Sequence, residues 1–271
     1  MADRRPIGIF DSGLGGLTVA KEIIKLLPNE DIVYFGDTGR VPYGTRSAET
    51  IKNYAQQDEG FLLSKNVKLI VAACGTVSAV AGENPSLEVP FIEVISHSVN
   101  MAVKNTKNKK IGVLATAATI RSSRHRQLIL EKMPDATVVE ASGTLLVPLV
   151  EEGWVDKNDP IVLETVERYV AEMKKVGVDT VILGCTHFPI VAEAIKKVMG
   201  EEVFLVNMGV ATGVAVKERL EQENALNDKT QTGHHSFFVS DKTAAFEDTA
   251  SILLGKRIDG NMVEQVNINA I

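Results

Sequence analysis

At 271 residues the chain has length for one large domain or two ordinary ones, and its formal net charge of −6 argues against a nucleic-acid-binding surface. Hydrophobic residues make up 45% and charged residues 24%, as in a soluble globular protein, and no apolar run approaches the roughly 18 residues of a membrane span. Aromatics are only 5%, so an aliphatic core is expected, and an anionic ligand would need local help from helix N-termini or hydroxyls.

The N-terminal MADRRPIGIF is basic but runs straight into a strand without the apolar core of a signal peptide, so a cytoplasmic protein is expected. The strand is Pro6–Asp11. A glycine-rich turn, Asp11-Ser-Gly-Leu-Gly-Gly16, leads into a helix over 17–27. Its spacing is not G-x-G-x-x-G and no P-loop Lys-Ser/Thr follows, so the nucleotide reading is weak. Structurally, Asp11 or Ser12 would cap the helix; functionally, Asp11 at a strand end would face a ligand crevice. Residues 31–36 form a second strand, followed by the loop DTGRVPYGT over 37–45. Pro42, Tyr43 and Gly44 in that loop either make an ordinary connection or cover a ligand with backbone N–H groups. An amphipathic helix covers 47–66.

Then comes LIVAACGTVSA: an apolar strand, Cys74, Thr76 and a helix start. Another strand over 90–94 closes this half, and a join is expected over 96–105. The pattern restarts at KIGVLAT, 110–116, with a turn through Thr119 and a helix near 123–133. A strand at 137–141 and helices at 144–153 and 160–177 precede VILGCTHFP. There Val181–Leu183 reads as a buried strand, Gly184 as a sharp turn, and a helix should begin near Ile190. A strand at 203–206, helices at 211–222 and 244–254, and a short strand at 236–239 complete the chain.

The two halves, each strand–turn–helix repeated with one cysteine, suggest an internal duplication with right-handed crossovers. The expected fold is α/β: two similar domains, each a mostly parallel sheet flanked by helices, with the active site in the interdomain cleft. The first domain would comprise 1–97 plus 210–271 and the second 98–209, hinged near 96–105 and Asn207.

Cys74 and Cys185 are the only cysteines, too few for a disulfide framework. Facing each other across a crevice, one thiolate could take a proton from one face of a carbon while the other thiol returns one to the opposite face. Helix N-termini, Asp11 and His187 are the candidate tuners of the thiols. Zinc bound by Cys74, Cys185 and His187 is a rival, though C-x-H is not a usual ligand spacing and no fourth ligand is evident. Thioredoxin-like redox chemistry lacks its C-x-x-C. A non-catalytic binding protein with two structural cysteines also stays open.

The stretches IGIFDSGLGGLTV, YFGDTGRVPYGTRS, the first cysteine segment, ATAATIRS and LGCTHFPI resemble the bacterial glutamate racemases of the cofactor-independent aspartate/glutamate racemase superfamily. The resemblance implies a two-domain fold with the site between domains, no pyridoxal phosphate or other cofactor, no metal, and D-glutamate made for peptidoglycan. Aspartate or another acidic amino acid is the alternative substrate, and a homodimer is compatible with it. Cys74 and Cys185 match the two acid/base cysteines, Cys74 acting on D-glutamate and Cys185 on L-glutamate. Asp11 and His187 match their assisting residues, and Glu151 a partner of His187. Ser12, Tyr43, Gly44, Thr76, Thr119 and Thr186 match substrate-contact positions.

The chain departs from the family pattern at Gly75, where asparagine is usual, at Val206–Gly209, at Arg124-His125 and at Ser240–Thr243. A missing amide at Gly75 predicts weak glutamate binding and a KM lowered by Gly75→Asn.

Overall fold

A computed structural model of the chain describes residues 2–82, 84, 87–228, 230–242, 246–255 and 263–268. Its first sheet uses β1 (Ile7–Asp11), β2 (Ile32–Gly36), β3 (Leu69–Ala72), β4 (Phe91–Glu93), β9 (His235–Val239) and β10 (Val263–Gln265), in the order β10-β9-β2-β1-β3-β4. The second uses β5 (Lys110–Ala115), β6 (Thr137–Ser142), β7 (Thr180–Gly184) and β8 (Phe204–Asn207), in the order β6-β5-β7-β8. Every pairing is parallel. Strands β1, β2, β3 and β7 are buried along their whole length, which is why, apart from Asp11 and Thr180 at strand ends, their sequences are mostly apolar runs rather than alternating ones.

The helices are α1 (Leu17–Leu26), α2 (Ala48–Ser64), α3 (Gly75–Val80), α4 (Val94–Asn105), α5 (Ala117–Ser122) and α6 (Arg124–Lys132), then α7 (Leu146–Glu151), α8 (Pro160–Val176), α9 (Ala192–Met199), α10 (Met208–Gln222) and α11 (Phe246–Leu254). None among the described residues is long and apolar enough to cross a membrane.

Both sheets repeat one plan. In the first, β1 lies between β2 and β3; in the second, β5 lies between β6 and β7. The chain leaves the central strand to one side and later returns to the other, which opens a crevice beyond the carboxyl ends of the central strand and its later neighbour. Asp11 ends β1 and Cys74 follows β3; Thr116 follows β5 and Cys185 follows β7.

Several boundaries differ from the sequence reading. The expected join at 96–105 is a helix, α4, because the Glu93 carboxylate caps it by accepting from the Ile95 and Ser96 N–H groups. At the second crossing the Asn207 side chain likewise caps α10, accepting from Gly209 N at 2.8 Å. Both connections between the sheets are therefore capped helices. The helix expected from Ile190 begins as a 3-10 turn, Phe188–Val191, before α9. The helix expected at 123–133 is α6, but the turn expected before it, through Thr119, is itself a short helix, α5, and the left-handed φ of 55° at Ser123 breaks the two apart. β10 was not read from its sequence. Thr243 of the Ser240–Thr243 departure, and Ala244 and Ala245 of the expected last helix, lie outside the described residues.

Candidate active site

The two crevices meet in one cavity of about 500 Å³, lined by Asp11, Cys74, Glu151, Cys185 and His187 among others. The five residues expected to carry chemistry therefore share one space, though they come from both sheets.

At the first end, Cys74 is the residue before α3 and is buried. Its thiol lies 3.5 Å from Ser12 Oγ. A helix N-terminus was expected to favour the thiolate, but burial and then the neighbouring Asp11 carboxylate push the thiol up to about 12. α3 has only six residues, so its dipole is small against the cost of charging a buried sulfur. Asp11 is itself buried, and burial raises its carboxyl above the ordinary range against the opposing N–H groups of Gly16 and Gly13. The Gly13 N–H donates to Asp11 Oδ2 at 3.1 Å, and the Tyr34 hydroxyl donates to the Gly13 carbonyl at 2.9 Å, which pins the glycine turn. Neither Asp11 nor Ser12 caps α1; the cap position is Gly16, where an added β-carbon would lie 2.6 Å from Asp11 Cβ. The glycine is there for close approach, and it frees Asp11 to face the cavity.

At the second end, Cys185 Sγ lies 3.9 Å from His187 Nδ1, and His187 Nε2 lies 3.1 Å from Glu151 Oε1. Burial works against the imidazolium, but the contacts with Cys185 and Glu151 outweigh it and lift His187 to about 10. Thr18 Oγ1 donates to the Thr186 carbonyl at 2.7 Å, so a helix on the first sheet holds the turn that carries Cys185. Gly15 allows the same approach: a β-carbon there would lie 2.6 Å from His187 Cε1.

Of the residues expected to contact substrate, Ser12, Pro42, Tyr43, Gly44, Gly75, Thr76 and Thr186 line the cavity. Thr119 does not; it is buried in α5 and its hydroxyl meets Thr116 Oγ1 at 2.9 Å. Thr116 is the lining residue, and it also meets Thr76 Oγ1 across the cleft at 3.3 Å.

Tyr43 departs from a simple contact role. Its hydroxyl is bonded to Asp37 and, at 3.0 Å, to Asp58 Oδ2. Arg40 bridges the same two carboxylates, at 2.5 Å to Asp37 Oδ2 and 3.0 Å to Asp58 Oδ1, and stacks 4.1 Å over the Tyr54 ring. Burial, then Asp37, holds the Asp58 carboxyl well above the usual carboxylate range, which relieves the repulsion between two buried acids. This quartet anchors the 37–45 loop, so Tyr43 presents its ring and backbone to the cavity with its hydroxyl already committed.

Gly75 corrects the sequence reading most directly. The missing side chain does not leave empty space: a β-carbon at Gly75 would lie 2.9 Å from the Gly184 carbonyl oxygen, on the strand that carries Cys185. The two cysteine-bearing turns touch there backbone to backbone.

Arg121 was not singled out from the sequence, yet it lines the cavity and its Nη2 donates to the Gly44 carbonyl at 3.4 Å. Its place inside the ATAATIRS stretch was the available signal. Among the described residues no three His, Cys, Asp or Glu side chains converge on a point where they could hold a metal ion.

Comparison with known proteins adds four findings. Residues 8–217 match the Asp/Glu/Hydantoin racemase family. The chain is 42% identical to a glutamate racemase of Geobacter metallireducens, over 98% of each chain. Among solved structures it resembles the glutamate racemase of Francisella tularensis in complex with D-glutamate, with a TM-score of 0.90 and 34% identity over 99% of this chain and 100% of that one. It also resembles the Thermus thermophilus glutamate racemase in complex with beta-chloro-D-alanine, with a TM-score of 0.87 and 34% identity over the full length of both chains.

Proposed function

The chain belongs to the Asp/Glu/Hydantoin racemase family, and from that premise we propose that it interconverts L- and D-glutamate by two-thiol proton transfer at Cα. The observation that carries this reading is the pair of buried cysteines on equivalent strand ends of two sheets, bordering one cavity in opposite electrostatic settings.

In this reading Cys185, as a thiolate beside the His187 imidazolium, takes the Cα proton from L-glutamate and becomes a thiol. The electron pair left on Cα is delocalised into the adjacent carboxylate. Cys74, a thiol at neutral pH, gives its proton to the opposite face and becomes the thiolate. One proton leaves the carbon and one arrives, so charge and atoms balance. The reverse reaction starts from the proton-swapped state. Asp11 and Ser12 attend Cys74; His187, held by Glu151, attends Cys185. Ser12, Pro42, Tyr43, Gly44, Thr76 and Thr186 surround the bound amino acid. The two sheets support a division into residues 1–97 plus 210–271 and residues 98–209, with the reaction at their boundary.

Purified protein should racemise L-glutamate without added cofactor, followed by circular dichroism, and should wash solvent deuterium into Cα. Cys74→Ser and Cys185→Ser should each lower racemisation by about a thousandfold or more. Wild-type protein that neither racemises glutamate nor exchanges its Cα proton would refute the assignment.

A further inference from the structure

We infer that Arg121 is the residue that draws the acidic amino acid into the cleft and holds one of its carboxylates on entry; this rests on the glutamate reading above. Among the described residues Arg121 is the only lysine or arginine that lines the cavity. It sits in the last turn of α5, on the second sheet, and reaches across the cleft to the Gly44 carbonyl in the loop from the first.

An exposed arginine is more often only a solvated surface charge. Three observations separate this one. First, its partner is a backbone carbonyl, and among the described residues no carboxylate is paired with it. Arg40, the other guanidinium of this region, is by contrast bonded to the carboxyl groups of both Asp37 and Asp58. Second, a guanidinium has five N–H donors in a planar fork, and the bond to Gly44 uses one, so a carboxylate can be taken in two parallel bonds while the side chain stays over the opening. Third, the protein carries a formal charge of −6 and the cavity is also lined by Asp11 and Glu151. Glutamate arrives with a net negative charge of its own. His187 lies buried beside Cys185 and is occupied by Glu151, so it does not offer its charge to an incoming ligand. The entrance needs one accessible positive group to reverse the local field, and a cleft with low-dielectric walls strengthens that group's reach.

The test is kcat/KM for L-glutamate between about 20 and 500 mM salt, a range over which the screening length falls from tens of ångströms to a few. Wild type, Arg121→Lys and Arg121→Gln are compared, with melting curves to confirm that each is folded. For Arg121→Gln, kcat/KM at low salt should fall about tenfold, mainly through KM, with a flatter salt dependence. Arg121→Lys keeps the charge and should recover the salt dependence, though not the full affinity of the two-pronged contact. An Arg121→Gln enzyme with wild-type KM and salt slope, or one that loses only kcat, overturns the inference. Wild-type protein inactive on glutamate would instead overturn the functional assignment, so the two failures are distinguishable.

Discussion

The two thiol ends of the cleft share a topological plan and differ in charge. Cys74 follows β3 and Cys185 follows β7, each beside the central strand of its sheet. Around Cys74 stand a hydroxyl and a buried carboxyl, and its thiol is pushed up to about 12. Next to Cys185 stands a histidine lifted to about 10 and braced by Glu151. At neutral pH the first end therefore holds its proton, while the second offers a counter-charge to a thiolate. Under the proposed function, the same strand-to-turn device would serve as proton donor or proton acceptor according to the side chain set beside it. The repeated strand plan supplies symmetry of position, and the neighbours supply asymmetry of charge.

The largest way to break this contrast is to remove the counter-charge. His187→Gln should lower racemisation about a hundredfold. Enantiomers are equal in energy, so kcat/KM in the two directions must fall together whichever end is damaged. The asymmetry has to be read from an irreversible half-reaction, such as loss of HCl from the two enantiomers of a chlorinated glutamate analogue. There His187→Gln should slow the reaction of the L-like enantiomer at Cys185 far more than that of the other at Cys74. Equal slowing of both would mean that the two ends are not separately tuned. Glu151→Gln should act in the same direction more weakly. It should also lower the alkaline limb of the pH profile from near 10, since the carboxylate is one of the two contacts that raise His187.

Much of this contrast was legible from the residues. Apolar runs ending in Asp11, Cys74 and Cys185 placed all three at strand ends, because parallel strands buried on both faces cannot be polar until they leave the sheet. What was hidden depends on partners far away in the chain. The commitment of the Tyr43 hydroxyl needs Asp58, a buried acid in the middle of α2 that reads as part of a solvated helix face. The helix α4 begins on a glutamate cap inside an apolar stretch, where the polar punctuation expected of a helix start is sparse. Gly75 looked like a lost side-chain contact because sequence alone shows what is missing, and not what occupies the space.

A smaller effect is expected at the point where the two ends touch. Asparagine at Gly75 adds a β-carbon 2.9 Å from the Gly184 carbonyl oxygen, a backbone atom that cannot swing aside. One of the turns must shift, and with it the spacing of the thiols about the substrate carbon. Misplacement by a fraction of an ångström in a proton-transfer geometry lowers turnover steeply. Gly75→Asn should therefore lower kcat about tenfold and leave KM unchanged or raised, the reverse of what a missing amide predicts. Gly75→Ala should behave alike but more mildly. A lowered KM with unchanged kcat would show that the amide contact, and not the spacing, governs this position.

The smallest effect on activity, and one that appears only in stability, belongs to a second buried histidine behind the Cys185 end. His125 packs against the Gly184 turn, where a β-carbon on Gly184 would lie 3.5 Å from its Cε1. Among the described residues neither of its ring nitrogens has a hydrogen-bond partner, and burial lowers it to about 4. It thus titrates in the opposite sense to His187, which gains partners for both nitrogens. With its folded value below the ordinary 6.5, His125 stays neutral in the native protein while the unfolded chain takes up a proton as pH falls. Stability is therefore lost progressively from about pH 6.5 down to about 4, amounting to about 2 kcal/mol by pH 5. His125→Leu removes the titration, and because the ring makes no hydrogen bond to lose, it should be neutral or stabilising at pH 7.5. Urea midpoints at pH 7.5 and pH 5.0 should draw apart between the two proteins, with the variant losing less at the acid pH. Parallel losses would show that His125 is not held neutral, and that acid sensitivity at this end arises elsewhere.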